Sequence, residues 1–201
     1  MHSVKMAAAL LVLAAGLADM AWAQEQAPRE ATPCFACHGE RGEGTALGPK
    51  LAGLSAQYID TQIDHYISGQ RSNPLMTPMA QAYTDPLLRK PVATYFASQG
   101  KLPELYVRGQ HQAGSAAERL YYQGDTTRGI PACYSCHGPS GVGGGPFPRL
   151  AGQQAVYVSA QLLAWQKDER KGDPGNMMAV IAKRLSAEDV QALASYLAEI
   201  R

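Results

Sequence analysis

The sequence predicts an all-α chain of two tandem domains related by internal duplication. Three observations predict it. A five-residue cysteine–histidine motif occurs twice, the sequence matches itself at an offset of 99 residues, and apolar residues recur at helical spacing with no alternating run long enough for a strand.

The motif is Cys34-Phe35-Ala36-Cys37-His38, repeated as Cys133-Tyr134-Ser135-Cys136-His137. C-x-x-C-H is the attachment pattern of a covalently bound c-type haem. Two thiols three positions apart on one local turn can each form a thioether to the porphyrin edge. The His beside the second thiol then lies beneath the iron and supplies an axial nitrogen. A single C-x-x-C would leave a redox dithiol, a disulfide or half of a zinc site open. Two copies that use all four cysteines, each followed by His, weigh against those readings. The cofactor expectation is two covalently bound haem c groups, with His38 and His137 as iron ligands.

The duplication stands on its own. Positions 34–71 share 14 identities with positions 133–170. They include Pro49, Leu51, Ala52 and Gly53, repeated as Pro148, Leu150, Ala151 and Gly152, and the pairs Tyr58/Tyr157, Gln62/Gln161 and Arg71/Arg170. Each half runs in the same order: motif, Gly-rich loop, amphipathic segment, polar Met-containing loop, final helix. The amphipathic segments are Ala56 to Ser68, with Ile59, Ile63, Tyr66 and Ile67 at helical spacing, and Ala155 to Lys167, with Val158, Leu162 and Trp165. In the second half Ser186 reads as an N-cap with Asp189 three residues on, ahead of the stripe Val190, Leu193 and Leu197. In the first half Pro86 and Pro91 are expected to confine the last helix to about Val92–Gln99. A helix near Ser115 to Gln123 opens the second domain. The expected divisions are a first haem domain over 24–100, a connector over 101–114 and a second haem domain over 115–201. A domain of this size has little core of its own, so the haem is expected to form much of it.

Residues 1–23 read as a signal peptide. Lys5 precedes the apolar run Met6 to Ala18, and Ala21-Trp22-Ala23 forms an A-x-A cleavage signal. The run is short for a membrane span of about 20 residues, and an uncleaved anchor is the weaker alternative. Nothing later is long and apolar enough to cross a bilayer, so the expectation is an exported, periplasmic chain without a transmembrane segment. The formal charge is +1, with no basic stripe of the kind that binds nucleic acid.

After the signal segment four methionines remain, in two close pairs, Met76/Met79 and Met177/Met178. Each pair lies in the loop before a final helix. A thioether opposite His stabilises ferrous iron and raises the potential, as an electron carrier requires. The alternative for any Met is gap-filling in a core. Within each pair the register decides: Met178 has Leu185 seven positions later and Met76 has Tyr83, which selects Met76 and Met178 as axial ligands.

Two C-x-x-C-H domains in tandem, each with P-[KR]-L-A-G, a Tyr and a Gln on the next helix and a late Met, resemble the dihaem cytochrome c4 family of class I cytochrome c domains. The resemblance covers nearly all of the mature chain. It implies a periplasmic electron carrier with His/Met iron in both domains. Cys34 and Cys37 would then hold the first haem between His38 and Met76, and Cys133 and Cys136 the second between His137 and Met178. It also implies that the carbonyls of Pro49 and Pro148 accept the other imidazole N–H. Two departures stand out. Only ten residues, Gln24 to Pro33, precede the first motif where the family has a longer helix, and Pro91 falls within the expected last helix.

Arg71 and Arg170 recur in both halves and suit haem propionates geometrically, with a solvated face as the equal alternative. Tyr58, Tyr157 and Trp165 read as packing residues before electron-hopping sites. His65 and His111 read as isolated surface histidines without a role. Saturated His/Met iron leaves no position for substrate, so the functional expectation is a carrier of single electrons. Its expected partners are redox proteins: a cytochrome bc complex or periplasmic dehydrogenase, and a haem-copper oxidase. Two alternatives remain open: a dihaem enzyme with one open iron (a peroxidase or sulfur-compound dehydrogenase), and a fixed cytochrome subunit of a larger complex.

Overall fold

The structure is a computed structural model that describes residues 26–100 and 114–200. The expected signal peptide, the connector apart from Gly114, and His111 lie outside the described residues. A 3-10 helix, Arg29–Cys34, leads into the single turn α1 (Phe35–His38), which carries the rest of the first motif. After a Gly-rich loop come α2 (Ala56–Ile67), α3 (Met76–Ala80), a 3-10 turn Gln81–Tyr83, and α4 (Pro86–Ser98). The second domain opens with α5 (Ala116–Gln123) and repeats the order: α6 (Tyr134–His137), α7 (Ala155–Gln166), a 3-10 turn Pro174–Asn176, α8 (Met177–Ala182) and α9 (Ala187–Glu199). Among the described residues there are isolated β-bridges but no strand. The fold is all-α.

Short polar side chains start α2, α4, α5 and α9. Ser55 accepts the Tyr58 N–H at 3.0 Å, Asp85 the Leu87 N–H at 2.8 Å, and Ser115 the Glu118 N–H at 3.1 Å. Ser186 and Asp189 form a reciprocal capping box at α9. The expected shortening of the first domain's last helix does not occur, since α4 and α9 both have 13 residues. Pro86 occupies the first turn, where its missing N–H has no intrahelical partner to lose. Pro91 forfeits one bond, to the carbonyl of Leu87 on an exposed first turn that water can reach.

In each domain the amphipathic helix packs on the last one, α2 on α4 and α7 on α9. Phe96, fully buried, anchors the first core, with Phe35 edge-on to it at 6.2 Å between ring centroids. The first core holds nine buried residues and the second sixteen. Three of the seven additional residues, Ala117, Leu120 and Tyr121, come from α5, which packs on α9; among the described residues the first domain has only a 3-10 turn before its motif.

A polar clasp fastens the second motif to α9. The backbones of Asp125 and Ile130 exchange two 2.8 Å hydrogen bonds, and the Asp125 carboxylate accepts from Thr127 Oγ1 and Arg128 Nε, both at 2.6 Å. Arg128 also pairs with Asp189. The bonds from Thr127 and Arg128 hold the Asp125 carboxyl well below its ordinary range. Burial alone would raise Asp189, but Arg128 and the Ser186 backbone outweigh it and lower it. Carboxyls with a depressed folded pKa contribute stability that is present above the unfolded value near 3.8 and lost as pH falls through the folded value. Urea unfolding at low salt should therefore show the wild type losing stability below about pH 4 more steeply than Arg128→Ala. Equal pH dependence of the two proteins would contradict this role for the clasp.

Candidate haem sites and the interface between them

Both motifs present a buried imidazole held from behind. His38 is 4% exposed with Nδ1 2.7 Å from Pro49 O, and His137 is 6% exposed with Nδ1 2.9 Å from Pro148 O. A carbonyl can only accept, so Nδ1 carries the proton and Nε2 keeps its lone pair for a metal. Burial lowers the pKa of both rings, which favours this neutral form. The close approach in the first domain depends on Gly48. A Cβ there would lie 2.7 Å from Cys37 O and 3.0 Å from the His38 ring. At the equivalent place in the second domain stands Phe147, whose ring is edge-on to His137 at 6.3 Å.

None of the four cysteines is in a disulfide. Burial raises the pKa of Cys34, and pushes Cys133 up to about 11. Neither sits in the electropositive, exposed setting that activates a redox thiolate. Cys133, Cys136 and His137 line a cavity of about 650 Å³ together with Leu162, Trp165 and Met178. Its size and apolar lining are those of a cofactor site. The Trp165 indole N–H is buried without a partner among the described residues, a donor that fits a carboxylate of the bound group. Thiols, imidazole, apolar walls and an orphaned donor together fit a covalently attached haem.

The methionine pairs divide by burial. Met76 and Met178 are partly buried, and Met178 packs against the second core; Met79 and Met177 are each 39% exposed. The Met76 N–H donates to Asn73 Oδ1 at 3.0 Å, and the Met178 N–H to Asp173 Oδ2 at 2.6 Å. Both members of the second pair line its cavity.

Arg71 and Arg170 are each 5% exposed, which rules out the solvated face. They meet across the domain boundary. Their backbones form an antiparallel bridge, and each guanidinium reaches the glutamines of both domains and the tyrosine of the opposite one. Arg71 donates to Gln62 Oε1 at 3.0 Å, and to Gln161 Oε1 and Tyr157 Oη at 2.7 Å. Arg170 donates to Gln161 Oε1, Gln62 Oε1 and Tyr58 Oη, all at 2.9 Å. Arg71 also stacks on Tyr66 at 4.7 Å and Arg170 on Trp165 at 3.9 Å. Burial raises the Tyr157 phenol, but Arg71 and Arg170 outweigh it and hold its pKa below the ordinary value. Tyr58 thus packs in the first core and also bonds across the interface, and Tyr157 bonds across it from the other side. A second layer adds to the junction: the Gln153 side chain accepts the Lys50 N–H and donates to the Lys50 carbonyl, both at 3.0 Å.

His65 is not a surface residue. It is 8% exposed and lines the second domain's cavity from the first domain, beside Leu54, Tyr58, Thr61 and Gln62. Burial, then the charge of Arg170, lowers its pKa, which favours the neutral ring. Its repeat position is Ala164, so the duplication that exposed the other site residues could not flag it.

Arg71→Ala should lower stability by about 2–4 kcal/mol, because it removes charged hydrogen bonds from three partly buried acceptors. Arg71→Lys should restore little, since an ammonium lacks the planar fork. Calorimetry of the holoprotein checks this: the interface role predicts that unfolding splits into two transitions, and an unchanged single transition would refute it.

The cytochrome c family profile matches the chain twice, at residues 29–92 and 116–201. The chain is 41% identical to the "Thiosulfate dehydrogenase electron acceptor" of Stutzerimonas stutzeri (strain A1501), over 96% of this chain and 92% of that protein. It is similar in structure to reduced recombinant cytochrome c4 from Pseudomonas stutzeri, with TM-score 0.74 and 33% identity over 86% of this chain and 95% of that one. It also resembles part of a thiosulfate dehydrogenase (TsdBA) from Marichromatium purpuratum, with TM-score 0.72 and 39% identity over 82% of this chain and 36% of that one.

Proposed function

Because the chain belongs to the dihaem cytochrome c4 family of tandem cytochrome c domains, we propose that it is a periplasmic carrier that accepts single electrons from a thiosulfate dehydrogenase and passes them to a haem-copper terminal oxidase. That it is an electron carrier with two covalent haem c groups follows from its family. The donor is inferred from the relatives that accept electrons from, or form part of, a thiosulfate dehydrogenase. Among the described residues no helix is long and apolar enough to cross a membrane.

One observation carries the reading of the sites: each motif His is buried and held by a proline carbonyl, and in the second domain a partly buried Met lines the same cavity as that His and both thiols. In this reading Cys34, Cys37, Cys133 and Cys136 form the thioethers. His38 and His137 each supply a nitrogen, and Met76 and Met178 each supply a sulfur. The bound haem supplies a one-electron iron couple. The protein's residues do the rest. Pro49 and Pro148 fix the imidazole rings, apolar walls exclude water, and thioether ligands favour the ferrous state. Arg71 and Arg170 add buried positive charge, which complements haem propionates and further favours reduction.

Carbon monoxide added to the reduced holoprotein tests saturation of the irons. Unchanged visible spectra at both haems are expected, and rapid binding at one would replace the carrier with an enzyme bearing an open iron. Stopped-flow mixing with thiosulfate dehydrogenase and thiosulfate tests the donor. Reduction of both haems is expected, and no reduction beyond the enzyme-free control would reject that partner.

A further inference from the structure

The loop that presents Met178 leans on the other domain. At Arg170 its backbone pairs with Arg71, and one residue on the Lys171 N–H donates to Gln70 O at 2.7 Å. Gly172 follows at φ +82°. A Cβ there would overlap Gln70 Oε1 and lie 2.6 Å from His65 Cε1 and 2.8 Å from His65 Nε2. Backbone is therefore seated directly against two first-domain side chains, in a conformation and a space that only glycine fits. The next residue, Asp173, accepts the Met178 N–H and so fixes the start of α8. From His65 to Met178 the chain of contacts has two links, Gly172 and Asp173.

The first domain's methionine loop is closed differently. Asn73 Oδ1 accepts the N–H of Leu75 and of Met76, and the Asn73 N–H donates to Thr77 Oγ1. Each of these bonds is local. Ala164, the repeat counterpart of His65, has no ring to return the contact. The interface is symmetric at its arginines and one-sided at its methionine loops.

We propose that His65 is a positioning residue for the axial thioether of the second haem site: with Gln70 it seats Gly172 and, through Asp173, fixes the turn that presents Met178. The inference rests on Met178 being the sixth ligand. It makes ligation of the second iron depend on the docking of the two domains, while ligation of the first does not.

The far-red charge-transfer band of ferric Met-ligated haem, recorded on the full-length holoprotein, reports both irons, and a redox titration gives both potentials. His65→Ala and Gly172→Ala should each remove up to about half of the band and lower one potential, leaving the other in place. His65→Gln, which keeps a planar polar group against Gly172, should retain the band. His65→Ala only removes atoms and carries the test should Gly172→Ala fail to fold. Met178→Ala separates the inference from its premise. If Met178→Ala loses half of the band while His65→Ala keeps all of it and both wild-type potentials, the positioning role is wrong and the ligand assignment stands. A full band in Met178→Ala overturns the ligand assignment, and the inference with it.

Discussion

The structure turns on two buried guanidiniums that share one interface with no carboxylate paired to either among the described residues. Taking a single cation out of water costs on the order of several kcal/mol even after relaxation. Arg71 and Arg170 offset that cost with neutral acceptors and aromatic faces, arranged about a local pseudo-dyad so that each glutamine serves both arginines. The arrangement can form only when the two domains meet in one register, because each guanidinium needs a tyrosine from the other side. Specificity of docking follows from that requirement more than from net binding energy. Arg170 also lines the second domain's cavity, where a nearby cation would favour the less positive state of a bound iron.

Behind this junction each imidazole is fixed by backbone, not by another side chain. A proline carbonyl has no competing tautomer and no rotamer to sample, so it orients the ring at little entropic cost. The two copies reach the same hydrogen bond by different packing. Gly48 lets backbone close on His38, whereas Phe147 fills the corresponding space beside His137. Identical donor sets can thus sit in unlike surroundings.

Much of this was legible in the chain. The motifs, the 99-residue offset and the Ser and Asp caps each depend on residues close in sequence, where spacing alone decides the geometry. The register that paired Met76 with Met178 matches the division by burial, because Ala80 and Ala182, both buried, keep the same offset from them. Pro91 misled because its rule counts a lost bond without asking whether water can take the freed carbonyl. Arg71 and Arg170 were visible as a pair but not as each other's neighbours, since a repeat reports equivalence and not contact. His65 was illegible for the opposite reason: its contacts come from a segment about a hundred residues away, and its repeat position holds alanine.

A carrier of two identical irons would share one electron evenly and impose no direction on it. The duplication here has diverged beside the two motifs and at the interface. Arg170 stacks on an indole where Arg71 stacks on a phenol, and Phe147 faces one imidazole where Gly48 backs the other. One methionine loop is closed by its own Asn73, and the other by the partner domain. Each difference would change the dielectric or the rigidity around one iron more than the other, and both act on the balance between ferric and ferrous states. The duplication repeats the motif residues, and the unshared residues around them would make the two sites unequal. Inequality between adjacent sites is what biases an electron, once received, towards one domain and so towards the partner docked there.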